Sequence, residues 1–413
     1  MSNPFQTVLR IERNSRAKIS QSLESCKTTT ILFLILYAAS SFFVWKKYEY
    51  NPSSQINFGK EFADQNSSET PKGAIVFLGE EGNLGAGYDG QIFYYYSRML
   101  SKWSLDWPKG FETSFRAPRI GYPLLVSPFG WFGPQGTIFG MYLLNLGLFY
   151  LSYLALRSLL PESKKYLSAI YLLSPFALGS YVLLVSDTVM LSLILLAYWA
   201  YSKNNFVLFA VLGGLAILTK EQALFLLFPL GLETVYHKEF KKSLWVLASL
   251  LIPACWSLYL KTQFPDWTPG SLGNFFDPFA GILGYLSELE QSISGGGQGI
   301  IGFAKKFSRF PLLLLFLYGT FLLFRGNWKL GLAYRIGFGI TMLTVFSGGY
   351  VLYWATYENV SRMFTISIPL LILWQKEDES LPNSPYWYLL AIILVAFLIK
   401  LALISKPLRY VVW

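Results

Sequence analysis

Residues 88–98, Tyr88-Asp89-Gly90-Gln91-Ile92-Phe93-Tyr94-Tyr95-Tyr96-Ser97-Arg98, set one carboxylate at the head of an aromatic-rich helical run. A basic, proline-stiffened segment follows, Arg116-Ala117-Pro118-Arg119-Ile120-Gly121-Tyr122-Pro123. An aspartate before a helix can simply cap backbone N–H groups. The same group, held rigidly, can take a proton from a hydroxyl, and Gly90 beside it leaves room for a substrate. Arg98, Arg116 and Arg119 read either as anchors at a membrane surface or as a clamp on a phosphate, which the guanidinium fork suits. Further along, Asp187 follows Ser186, Lys220-Glu221 interrupts an apolar hairpin, and Glu358 and Arg362 stand four apart. Each has a plain alternative: a helix cap, a boundary charge pair, a simple i,i+4 ion pair.

The elements that would position these groups are helices in a lipid bilayer. Of 413 residues 53% are hydrophobic and 14% charged, against roughly 25% charged in soluble proteins. Apolar runs near 28–46, 135–156, 166–182, 187–202, 206–219, 222–236, 243–260, 308–324, 331–354, 362–374 and 386–404 predict about eleven membrane spans. The expected fold is an all-α polytopic membrane protein. Arg10, Arg13, Arg16 and Lys18 place the N-terminal segment 1–27 in the cytoplasm by the positive-inside rule. The membrane domain then covers 28–413. Its first extracytoplasmic loop, 47–118, holds a helix lying at the interface over 90–101, with Ile92, Tyr96 and Leu100 on one face. A second loop, 261–307, carries Asp266, Asp277, Glu288, Glu290 and a glycine-rich run, 294–299, that reads as a hinge or a flap. Alternating the sides puts Asp89, Asp187, Lys220, Glu221, Glu358 and Arg362 on one extracytoplasmic face. Ionisable residues at membrane depth point to function by default.

The remaining inventory narrows the chemistry. The net charge of +10 would suggest nucleic acid in a soluble protein. Here the Lys and Arg sit in short loops, so no nucleic-acid partner is expected. Two cysteines and one histidine, His237, give neither a disulfide framework nor a His/Cys metal site. No cofactor is expected; a divalent metal would need carboxylates. The first apolar run starts too far in for a cleaved signal peptide. The aromatic cluster Tyr94–Tyr96 with Trp103 and Trp107 reads as an interfacial belt.

Tyr88-Asp89-Gly90-Gln91 and Arg116-x-Pro118-Arg119-x-x-Tyr122-Pro123, with Ser186-Asp187, Thr219-Lys220-Glu221 and Glu358-x-x-x-Arg362, resemble the GT-C superfamily of integral-membrane glycosyltransferases. The likeness is to a bacterial branch associated with cell-surface glycopolymer formation and distantly similar to the GPI-anchor mannosyltransferases. Lys220 stands where arginine is frequent in that group. The resemblance implies transfer of a sugar from a polyprenyl-phosphate donor to a glycan or lipid acceptor, on the outer face of the cytoplasmic (inner) membrane. Asp89 would be the general base of an inverting reaction. Arg98, Arg116, Arg119, Lys220 and Arg362 would face the phosphate. Gln91, Asp187, Glu221 and Glu358 would hold sugar hydroxyls, and Tyr122 joins the substrate-binding set. No Asp-x-Asp or paired Asp-Glu string stands in the first loop, so metal dependence is not implied. A lipid-linked-sugar flippase or transporter, and a surface polysaccharide polymerase or ligase, are the competing readings.

Overall fold

The computed structural model describes residues 23–79, 87–270, 276–294, 300–405 and 407–413. The basic cluster Arg10–Lys18 and the glycine run 295–299 lie outside the described residues. The chain is mainly helical. The expectation of eleven spans is corrected. Among the described residues four helical stretches are long and apolar enough to cross a membrane: Cys26–Trp45, Gly121–Leu159, Phe240–Gln263 and Ser384–Ile404.

The reason is local chemistry inside the apolar runs. The run 166–182 is two helices, Tyr166–Leu172 and Pro175–Val182. Pro175 opens the second, and the Ser174 side chain accepts the Phe176 N–H as its N-cap. The run 362–374 is likewise split between Tyr357–Met363 and Ser367–Glu377. Leu224–Tyr236 has 13 residues and carries Pro229 inside it. Asp187–Ser202, Phe206–Thr219 and Leu332–Ser347 are apolar but have only 16, 14 and 16 residues. At about 1.5 Å per residue they reach roughly 21–24 Å, short of a hydrocarbon core of about 30 Å.

A helix that is apolar all round is either a membrane span or an interior helix. Asp187–Ser202 is an interior helix: most of its side chains are buried, and it packs between Gly133–Leu159 and Phe206–Thr219. Its side chains belong to the same buried core as Phe149, Tyr153, Tyr171, Phe176 and Tyr181. The four long stretches are less buried, 22–44% over their apolar windows, although Gly121–Leu159 and Cys26–Trp45 each turn one side to this core through Phe149, Tyr153, Phe33 and Tyr37.

The first connecting segment also differs from expectation. Helix Asp89–Ser101 is not laid on a surface. Tyr94, Tyr95 and Tyr96 are 0–1% exposed, so the aromatic run is core rather than belt. Tyr95 Oη shares a 2.6 Å hydrogen bond with Thr70 Oγ1, and Tyr94 Oη donates to the Glu69 carbonyl at 2.9 Å. The Ile92/Tyr96/Leu100 face packs on Phe111, Leu218 and Trp107, and Trp107 lies parallel to Phe111. Beneath the helix is a small sheet that the all-α reading did not contain. β1 (Phe58–Gly59) runs parallel to β2 (Ile75–Phe77), and β2 pairs antiparallel with β3 (Tyr410–Val412). The segment 261–307 is not a plain loop: it contains helices Ala280–Ser294 and Ile300–Phe307.

Candidate functional site

Asp89 is the first residue of its helix. Tyr88, in extended conformation, is the N-cap and makes no side-chain cap. The carboxylate of Asp89 is therefore free to point away from the helix end. Oδ1 accepts from Arg116 Nη1 at 2.7 Å, and Oδ2 from Arg362 Nη1 at 2.9 Å. Arg116 ends the short helix Thr113–Arg116, and Arg362 lies on Tyr357–Met363. Arg362 turns its Nε to Asp187 Oδ2 at 2.8 Å, and the other oxygen of Asp187 takes the Lys220 ammonium. Asp187 opens its own helix, and Lys220 closes Phe206–Thr219 in extended backbone. One chain of ion pairs, Arg116–Asp89–Arg362–Asp187–Lys220, thus ties together five separate segments of the sequence. Beside it Arg119 Nε donates to Glu221 Oε1 at 3.0 Å, near enough to Asp89 to sense its charge.

Burial grades along this chain. Asp187 is fully buried, while the side chains of Asp89 and Arg116 are 21% and 23% exposed. Burial pushes the Asp89 carboxyl upward, but Arg362 and Arg116 outweigh it and hold the group well below the usual carboxylate range. Glu221 is held low in the same way: burial raises it and Arg119 more than reverses that. Four cations (Arg116, Arg119, Lys220, Arg362) face three carboxylates (Asp89, Asp187, Glu221).

Two residues missed in the sequence complete the site. Arg362 Nη1 donates to Tyr88 Oη at 3.0 Å, and Tyr88 Oη donates to Asn359 Oδ1 at 2.6 Å. The guanidinium also lies 5.6 Å from the centre of the Tyr88 ring. Tyr88 stood inside the quoted motif; Asn359 carries no signal apart from its place between Glu358 and Arg362.

Four candidates stand apart from this cluster. Arg98 donates to Glu69 Oε2 at 3.1 Å and to the Gly130 carbonyl at 2.7 Å, at the far end of its helix. Gln91 Oε1 accepts the Gly59 N–H at 2.9 Å and fixes the helix to β1. Tyr122 is fully buried and accepts from Asn145 Nδ2 at 2.7 Å. Glu358 does not pair with Arg362; its carboxylate takes the Lys400 ammonium. Gly90 serves close packing rather than substrate approach, because a Cβ there would lie 2.7 Å from the carbonyl oxygens of Ile56 and Leu183.

A cavity of about 690 Å³ lies beside the cluster and is not centred on Asp89. It opens behind Arg362, which lines it together with Lys47, Glu288, Glu358 and Lys400. Among the described residues no group of three or more His, Cys, Asp or Glu side chains could hold a metal ion.

No protein-family model, curated protein or solved structure matches the chain. The resemblance to the GT-C glycosyltransferases is corrected by the fold. The polytopic layout of about eleven spans that it requires is not the one observed, since four stretches qualify as spans among the described residues. The polyprenyl-phosphate donor, the glycan or lipid acceptor, the lipid surround and the glycosyltransferase activity rest on that resemblance and its membrane layout, and fall with them. So do the multi-pass inner-membrane placement and the extracytoplasmic site, because both were obtained by alternating sides over eleven crossings.

Proposed function

We propose that the cluster around Asp89 is a binding site for a small molecule bearing a phosphate or similar anionic group. One observation carries this reading: two arginines from separate segments, Arg116 and Arg362, converge on the two oxygens of a single carboxylate that remains partly open to solvent. A carboxylate gripped at both oxygens occupies the geometry that an incoming phosphate would take. Asp89 is then the internal stand-in for the ligand. The anion draws Arg116 and Arg119 to itself, and Lys220 and Arg362 supply further positive charge. Released from its partners, the half-buried Asp89 carboxylate gains proton affinity and becomes a proton acceptor for a ligand hydroxyl. While gripped it is too weak a base for that task. Asp187, fully buried between Lys220 and Arg362, is the fixed post that orients both cations.

The test is calorimetric titration of the purified chain with inorganic pyrophosphate. Removing one charge-assisted contact by Arg116→Gln should weaken binding about tenfold. Asp89→Asn should tighten it, because the competitor for the arginines is gone. Equal affinity in Arg116→Gln, or weaker binding in Asp89→Asn, would overturn the reading.

A further inference from the structure

The cavity behind Arg362 has a charge pattern that the Asp89 cluster does not explain. Six basic side chains line it, Lys47, Lys305, Lys306, Arg309, Arg362 and Lys400, against two carboxylates, Glu288 and Glu358. The carboxylates are already engaged. Glu288 accepts from Arg309 Nη2 at 2.7 Å and from Tyr350 Oη at 2.7 Å, and Glu358 is paired with Lys400. Arg362 is balanced from behind by Asp89 and Asp187. Among the described residues Lys47 has no carboxylate within ion-pair distance; its ammonium donates to the Leu401 carbonyl at 2.6 Å. That uses one of its three N–H groups. Burial lowers its proton affinity and the charge of Lys400 lowers it further, so two ammonium groups repel each other across a partly desolvated space. The volume lies inside the range of about 300–1,000 Å³ that holds small ligands.

We infer that this cavity is a second anion site, which takes a compact polyanion such as a phosphorylated small molecule between Lys47, Lys305 and Lys400. An anion there relieves the Lys47–Lys400 repulsion and gains charge-assisted hydrogen bonds from both. The carboxylates of Glu288 and Glu358 remain as acceptors for ligand hydroxyl groups. The site shares only Arg362 with the cluster around Asp89, so it stands or falls separately from the reading above.

Pyrophosphate titration of the full chain reads both sites at once. Wild type should show two binding events. Lys47→Met should abolish one of them or weaken it at least about tenfold, while Lys47→Arg, which keeps the charge, should retain it. Lys305 is exposed, so Lys305→Gln tests the same event without threatening the fold, with an expected loss of a few-fold. Arg116→Gln should leave this event untouched and weaken the other. If Lys47→Met and Lys305→Gln both bind as wild type does, the second site is refuted whatever Arg116→Gln shows. If they lose an event and Arg116→Gln loses none, the second site holds and the Asp89 reading fails.

Discussion

One helix, Asp89–Ser101, ends in a carboxylate–arginine network on each side, and the two networks are built differently. At the C-terminal end Glu69 sits between Arg98 and Lys102, its side chain 6% exposed. The Gly130 carbonyl takes a further N–H of Arg98. There Glu69 and Arg98 are matched and closed off from water, and only Lys102, half exposed, reaches solvent. At the N-terminal end Asp89, its side chain 21% exposed, is held by two arginines, and among the described residues neither guanidinium donates to a carbonyl. Closed networks of the first kind fix a fold. Open ones of the second kind have partners to exchange. Each end sets one carboxylate between two cations; what separates them is the exposure of the carboxylate, 6% against 21%, and the carbonyl acceptor beside Arg98.

The comparison can be broken at its stable end first. Arg98→Met leaves the Glu69 carboxylate buried with one cation fewer and should cost about 3–5 kcal/mol in urea unfolding. Pyrophosphate affinity of the folded fraction should not change. A binding loss equal to that of Arg116→Gln would erase the distinction between the two ends. The open end has a smaller effect on stability, and its sign depends on pH. The Asp89 carboxyl is depressed in the folded chain, so the stability it adds is fully present above the ordinary carboxylate value of about 4. That stability drains away as pH falls through the lower folded value. Melting curves from pH 7 to pH 2 should therefore converge for wild type and Asp89→Asn at the acid end. Curves that diverge as acid is added would show that the carboxylate is not stabilised by its arginines. The smallest change is Tyr88→Phe, which removes two hydrogen bonds at 2.6 and 3.0 Å. It should cost about 1 kcal/mol and loosen Arg362 enough to weaken pyrophosphate binding a few-fold. An unaltered titration would mean that Asp187 alone orients Arg362.

What could be read in the sequence was residue type at breaks in apolar runs. Asp187, Lys220 and Arg362 stand at the ends of such runs, and the fold gathers them into one ion chain. The same rule applied to Lys400, inside 386–404, would have found the cavity lysine. Two things were illegible. Hydrophobicity does not distinguish an interior helix such as Asp187–Ser202 from a membrane span, because both are apolar on every side. The spacing of Glu358 and Arg362 named a partner for each, yet tertiary neighbours, Lys400 and the two aspartates, won both. β3 was also hidden: three residues, Tyr410–Val412, carry too short a pattern to read as a strand.

That strand has a consequence for biosynthesis. β2 can acquire its antiparallel partner only after the more than 300 residues that separate it from β3 have been made, which at about 5–20 residues per second is on the order of tens of seconds. During that interval the backbone groups of Ile75–Phe77 that face β3 have no partner, in the segment that underlies the helix bearing Asp89. An unpaired strand edge is a template for the wrong partner. The nascent chain must keep that edge covered until residues 410–412 emerge, and a message cut short before them would release a protein whose platform never closes.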